Sequence, residues 1–205
     1  MVNLDEGTCF WFTGFAASGK STIAGEVIKI LQARGLRVEN LDADEIRANI
    51  SPDLKYTAAD RDLNTKRLAW ISTLLTRNGV CSIVAAVSPL RSYRDRARGW
   101  IDHFMEVWVN TPMEECQKRD PKGLFARAAR GEVNDIAGLH QPYEEPEDPE
   151  VMIETMKLSP EECAFYVIRR AEELGFLPPA GEDTDVYSPE EKAKLEQRLA
   201  DLGYM

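Results

Sequence analysis

Residues 14–21 read Gly14-Phe15-Ala16-Ala17-Ser18-Gly19-Lys20-Ser21. The stretch fits G-x-x-x-x-G-K-[ST], a loop whose backbone N–H groups cradle nucleotide phosphates. Its Lys reaches the β- and γ-phosphates and its hydroxyl serves Mg²⁺. The flanks fit as well. Residues 9–13, Cys-Phe-Trp-Phe-Thr, form a short apolar run suited to a buried strand, and Ile23, Val27, Ile28 and Leu31 recur at helical spacing behind the loop. Strand, loop and helix in that order set a favourable dipole and unsatisfied donors beside a bound anion. A glycine turn followed by an unrelated lysine would need no such flanks. Gly14, Ala17, Ser18, Gly19, Lys20, Ser21 and Thr22 are therefore the candidate ATP-binding set, with Lys20 as a catalytic cation and Ser21 as the Mg²⁺ ligand.

The 205 residues suffice for one domain with a full core. A formal net charge of −10 argues against nucleic acid as a partner, which needs a basic surface. Local Arg and Lys clusters still allow a small anionic substrate. Cys9, Cys81, Cys116 and Cys163 show no C-x-x-C spacing, so four reduced thiols are expected. Residues 1–7 carry Asp5 and Glu6 and lack a basic leader pattern, and no apolar run reaches the length of a membrane span. A cytoplasmic protein with no membrane partner is the expectation.

Strand and helix patterns alternate, which predicts an α/β fold of three layers around a parallel sheet. Residues 36–41 form the second strand, entered through Gly35, and 59–77 a long helix ended by Gly79. Residues 80–87 read as a central strand, 92–100 as a helix and 104–109 as the next strand. Thr111 and Pro112 are expected to start a helix by cap and first-turn chemistry. Residues 120–149 are polar, carry three glycines and end in an acidic, proline-rich run, which suits a lid with a helical middle over 122–130. Ser159-Pro160-Glu161-Glu162 and Ser188-Pro189-Glu190-Glu191 each open a helix. The expected organisation is a kinase-sized unit over 1–177, then a linker and helix over 178–205.

A second constellation, Asp42-Ala43-Asp44 followed by Arg47, closes the second strand. Ligands in open α/β sheets bind beyond the carboxyl ends of the strands, so these side chains face the region of the phosphate loop. A carboxylate there can orient or deprotonate a hydroxyl, or hold Mg²⁺ through water. Taken alone, Asp42 could equally be a turn residue and Asp44 a helix N-cap. The third strand offers no Asp of the kind that holds Mg²⁺ in many phosphate-loop enzymes, which shifts the catalytic burden to Asp42 and Asp44.

The chain resembles the adenylylsulfate (APS) kinase family from about residue 9 to 177. The matching pieces are GFAASGKST at 14–22, LDADEIR at 41–47, DRDLN at 60–64, VSPLR at 87–91, CQKRDPKGLFARAARGEV at 116–133 and PYEEP at 142–146. The resemblance implies transfer of the ATP γ-phosphate to the 3′-hydroxyl of adenosine 5′-phosphosulfate, and a homodimer with a five-stranded parallel sheet and a lid. It implies that Asp44, supported by Asp42, faces the acceptor hydroxyl. Arg47, Arg61 and Asn64 would contact the acceptor, Tyr56 would stack on its base, Val87 and Ser88 would line its pocket, and Lys122 and Leu124 would close over it. The chain departs from the family at Ala43, where Gly is usual, and at residues 54–57. A third departure is Ile136-Ala137-Gly138, where the family has Phe-Thr-Gly and uses the Phe as the second face of a base clamp.

These features describe a kinase using ATP and Mg²⁺ on a nucleotide-like acceptor, with adenosine 5′-phosphosulfate first. Ile136 keeps open a related nucleotide conjugate or small alcohol as acceptor. A nucleotide-binding regulator without catalysis is the reading from another class; a pure binder does not require both Asp42 and Asp44.

Overall fold

The computed structural model describes residues 6–181 and 184–204. Its centre is β1 (Cys9–Thr13), buried at every position. Alternation sends Phe10 and Phe12 into one layer with Val27, Leu31 and Ile168, and Cys9 and Trp11 into the other with Leu68 and Phe104. Around it lie β2 (Val38–Asp42), β3 (Cys81–Ala85), β4 (Phe104–Asn110) and β5 (Val151–Glu154), in the order β2-β3-β1-β4-β5, every pairing parallel. The helices are α1 (Lys20–Ala33), α2 (Ala43–Asn49), α3 (Ala58–Thr76), α4 (Arg91–Arg98), α5 (Met113–Arg119), α6 (Leu124–Ala129), α7 (Pro160–Glu173) and α8 (Pro189–Asp201). Residues of α1, α7 and α8 join one hydrophobic layer, and those of α2, α3 and α4 the other. The expected three-layer α/β architecture is the one observed.

Three local expectations are corrected, and one strand was not expected from its own residues. The third strand stops at Ala85: past the Ala86 N–H, which still donates to the Phe12 carbonyl at 3.2 Å, the chain turns toward a left-handed residue, Ser88, with φ of 42°. The helix expected over 92–100 runs over Arg91–Arg98. Thr111 does not cap α5. Its hydroxyl turns back to the carbonyl of Ser18 at 2.8 Å and to the Thr155 hydroxyl at 2.6 Å. Strand β5, only four residues at the sheet edge behind an acidic segment, had no periodicity to announce it.

Residues 120–149 contain α6 inside the expected helical middle. Cys116, Phe125 and Ile136 make a small core of their own, against which Phe15, Ala16 and Met113 pack. The contact is close at Gly138: a Cβ there, at φ +86°, would lie 2.4 Å from Phe15 Cε1. The PYEEP segment is tied down at its base. Glu144 N–H donates to the Pro89 carbonyl at 2.7 Å, and Arg94 donates to the Glu144 carbonyl at 2.7 Å. This joins the turn after β3 to the end of the 120–149 segment.

Helix α8 opens with a complete capping box between Ser188 and Glu191. Leu199 is fully buried, and Leu195 and Leu202 pack partly against the same layer. Ion pairs Arg169–Glu196 (3.3 Å) and Arg198–Glu162 (3.6 Å) accompany that packing. No helix among the described residues is long and apolar enough to cross a membrane. All four cysteines are buried and free.

Candidate active site

The phosphate loop leaves β1 through Gly14, whose φ is +146° and where a Cβ would sit 2.5 Å from the Val109 carbonyl oxygen. Only glycine fits that passage. The Ser18 carbonyl is held from behind by Thr111 Oγ1 and by Arg119 Nη1 at 3.3 Å. Lys20 opens α1 and folds its ammonium back into the loop, donating to the carbonyls of Gly14 (3.0 Å) and Phe15 (2.6 Å) and to Ser18 Oγ (3.4 Å). Burial pulls its pKa down to about 8, against the opposing pull of the Asp42 and Asp44 carboxylates. A polyanion seated in the loop would hold the proton on.

Asp42 ends β2 and caps α2. Its Oδ1 accepts from the Asp44 N–H at 2.9 Å, and its Oδ2 accepts from Ser21 Oγ at 3.0 Å. Of the two acids it is Asp42 that serves as N-cap, so Asp44 is free of that task. The Asp44 side chain projects from the first turn of α2 and is ion-paired with Lys122 of the lid. That hydrogen bond raises the Lys122 pKa.

Arg47 and Arg61 both lie over the Tyr56 ring, 4.4 and 5.3 Å from its centroid. Arg61 also donates to the Asp135 carbonyl at 2.7 Å, which ties α3 to the lid. A cavity of about 1120 Å³ opens between these groups. Its walls include Ala17 to Thr22, Asp42, Asp44, Arg47, Tyr56, Arg61, Val87, Lys122, Leu124 and Ile136. Most of the residues singled out from sequence therefore meet in one space. Gly14, Asn64 and Ser88 do not line it. Asn64 is buried in α3, with Oδ1 unbonded among the described residues. The Ser88 hydroxyl accepts from Trp11 Nε1 at 3.1 Å and its carbonyl from Arg94 at 2.7 Å, so it shapes the turn.

Three contributors escaped the reading of single residues. Arg119 lines the cavity beside the loop, its Nη1 3.8 Å from where a Gly19 Cβ would be. Tyr143 lies under the loop, its ring 4.9 Å from that of Phe15 and its hydroxyl 3.1 Å from Thr13 Oγ1. Arg94 is buried and joins Ser88 to Glu144. The signals for Arg119 and Tyr143 were the RDPKGL and PYE-x-P strings, which are visible as patterns but have no chemistry until residues 120–149 fold back; Arg94 lies in neither string.

The donor set suits Mg²⁺. Among the described residues no three His, Cys, Asp or Glu side chains cluster to hold a metal. Mg²⁺ beside a nucleotide takes most of its ligands from water and phosphate, so the Ser21 hydroxyl backed by Asp42 is a sufficient protein share.

A loop that cradles phosphate around a buried lysine, facing a carboxylate across a lidded cavity at the carboxyl edge of a parallel sheet, defines a phosphate-loop kinase. Residues 6–154 match the adenylylsulphate kinase family, and the chain belongs to it. It is 44% identical over 173 residues to a probable adenylyl-sulfate kinase of Pyrococcus abyssi, covering 84% of this chain and 99% of that one. With the adenylyl-sulfate kinase of a Picosynechococcus strain it shares 42% identity, over 84% and 98% of the two chains. Among solved structures it matches the Mycobacterium tuberculosis APS kinase in complex with AMPPNP and APS. The TM-score is 0.79 at 37% identity, over 82% of this chain and 98% of that one.

Proposed function

We propose that the protein transfers the γ-phosphate of ATP to the 3′-hydroxyl of adenosine 5′-phosphosulfate, giving 3′-phosphoadenosine 5′-phosphosulfate and ADP. The observation that carries this reading is the division of labour between the two acids. Asp42 is committed twice, to the Asp44 N–H and to Ser21, while Asp44 reaches the cavity with, among the described residues, only a lid lysine as partner. Asp44 is thus the group that can accept the acceptor's proton, once Lys122 moves from it to the substrate's anionic groups. Lys20 exchanges the loop carbonyls for phosphate oxygens and neutralises the charge that builds up between β- and γ-phosphates. Arg47 and Arg61 hold the acceptor's phosphosulfate end, and Tyr56 offers a ring face to its base. Asn64 and Ser88 act behind the wall, by packing and by the shape of the turn. Mg²⁺, brought with ATP beside Ser21, supplies further neutralisation of the phosphates.

Ile136 favours keeping one second reading, a related nucleotide conjugate as acceptor, because an aliphatic side chain lines the cavity where the family resemblance implies a phenyl ring. The proposal includes a homodimer, implied by the resemblance; one solved relative, from Thiobacillus denitrificans, is a hexameric APS kinase. It also includes a cytoplasmic location, which four buried free thiols suit. The test is a screen of acceptors with γ-labelled ATP, followed by locating the transferred phosphate. Label on the 3′-oxygen of adenosine 5′-phosphosulfate is expected; faster labelling of another acceptor would replace that substrate, and no labelling of any alcohol would overturn the kinase reading.

A further inference from the structure

The family match stops at residue 154, yet the chain continues into a helix that reaches back to that boundary. Strand β5 is a sheet edge, and the N–H of its last residue, Glu154, points away from β4. Tyr204, just beyond α8, meets it there. Its hydroxyl oxygen accepts from the Glu154 N–H at 3.2 Å and donates to Glu154 Oε2 at 3.4 Å. The ring is fixed edge-on against Tyr166 of α7, 5.2 Å away, and Leu199 one turn earlier is fully buried. The residue after Glu154 is Thr155. Its hydroxyl bonds that of Thr111, which in turn donates to the Ser18 carbonyl, and it accepts from Arg119 Nη1 at 3.3 Å. Arg119 borders the loop at Gly19, and Thr155 Cγ2 lies 3.9 Å from a Cβ built on Gly19.

We propose that Tyr204 is a positioning residue for the donor nucleotide, acting through Glu154 and Thr155 on Arg119 and the phosphate loop. An edge strand of four residues, paired on one side with β4, frays easily at its end. Tyr204 closes that end, so Thr155 stays where it can hold Thr111 and Arg119. The acceptor wall, built from Arg47, Tyr56, Arg61 and Lys122, lies on other elements and is outside this relay. The effect is therefore expected on ATP and not on the acceptor.

The inference rests on ATP occupying the phosphate loop, and direct titration with AMPPNP and Mg²⁺ separates the two ideas. No binding by the unaltered protein would sink the donor site itself. Given binding, Tyr204→Phe, which keeps the ring and removes the hydroxyl, is expected to weaken AMPPNP by about threefold to tenfold, the scale of one lost hydrogen bond. KM for ATP should rise in parallel, with KM for the acceptor unchanged. A merely structural role would lower the melting temperature while leaving Kd and KM of the folded fraction alone. Thr155→Val should produce a similar loss, and adding Tyr204→Phe to it should cost little more, because both changes break one relay. Unaltered AMPPNP affinity in Tyr204→Phe, or full additivity with Thr155→Val, would overturn the proposal.

Discussion

Lys122 of the lid is ion-paired with Asp44 at the first turn of α2, across 78 positions of sequence and the mouth of the cavity. Both side chains are exposed, so the pair contributes little to stability. Its consequence is chemical: it holds the carboxylate that would receive the acceptor proton. Asp44→Asn keeps the shape and removes the basicity, and is expected to lower kcat by a factor of roughly 10² or more. Nucleotide affinity should stay within about threefold, because Asp42 retains the Ser21 contact. Lys122→Ala should raise KM for the acceptor with a smaller loss of kcat. Single-turnover and steady-state rates on both variants check this. An active Asp44→Asn beside an inactive Asp42→Asn would reverse the roles assigned to the two acids.

The Lys20 ammonium, pulled down to about 8 by burial, gives the donor site a pH signature. Phosphate oxygens bind the protonated form. Below about pH 8 the free protein already carries that proton and ATP affinity should be flat; above it, a proton must be taken up, and Kd should weaken toward tenfold per pH unit. Without ligand the sign for stability is the reverse. The unfolded chain holds the proton up to the ordinary lysine value of 10.5, so the folded form gains stability as pH rises from about 8 toward that value. Calorimetric titration in buffers of different ionisation enthalpy measures the uptake directly. Lys20→Met should abolish turnover, remove the pH slope and leave the fold intact.

How much of this was legible in the sequence follows from where the determining interactions lie. The phosphate loop and Asp42-Ala43-Asp44 are local: spacing alone carries the turn and the strand end, and both lie where strand order predicts, although the cap falls to Asp42 and not to Asp44. β5 was not legible from its own residues. Val151 to Glu154 are too few to show a period, and their pairing is set by β4, some forty residues earlier. The same holds for Thr111. As a residue before a proline and a helix it reads as a cap, but the Ser18 carbonyl and Thr155 compete for its hydroxyl and win. Arg94 is one of four arginines in α4, and nothing local sets it apart; its partner Glu106 sits in a strand that otherwise reads as apolar.

Ile136 is where specificity is most open to test. Its side chain is buried in the lid cluster with Phe125 and Cys116, yet it also borders the cavity. A phenyl ring in its place would have open volume on the cavity side and could stack on a bound base. Ile136→Phe is expected to tighten adenosine 5′-phosphosulfate by up to about tenfold, the upper range of one aromatic contact. Overpacking the lid should lower stability by about 1 kcal/mol. Acceptor KM and melting temperature, measured together, separate the two effects. A weaker KM would mean that the pocket is shaped for an acceptor other than adenosine 5′-phosphosulfate.

Arg94 and Glu106 form a buried ion pair behind the turn after β3 and the PYEEP segment, with Nε 2.6 Å from Oε1 and both side chains almost fully enclosed. Arg94 spends its other donors on the Ser88 and Glu144 carbonyls, and Glu106 accepts a second contact from Arg98 at 3.2 Å. Deleting one partner of such a pair strands the other charge and typically costs about 3–5 kcal/mol. Arg94→Met is therefore expected to destabilise the fold by that amount. Arg94→Met with Glu106→Gln should recover part of it, since the uncompensated carboxylate is gone. Neither variant restores the two carbonyl contacts. The double variant should consequently remain impaired in acceptor KM after stability returns, while its ATP affinity stays near normal. Denaturant unfolding gives the first quantity and acceptor titration the second. Full recovery of acceptor KM in the double variant would show that the turn after β3 holds its shape without Arg94.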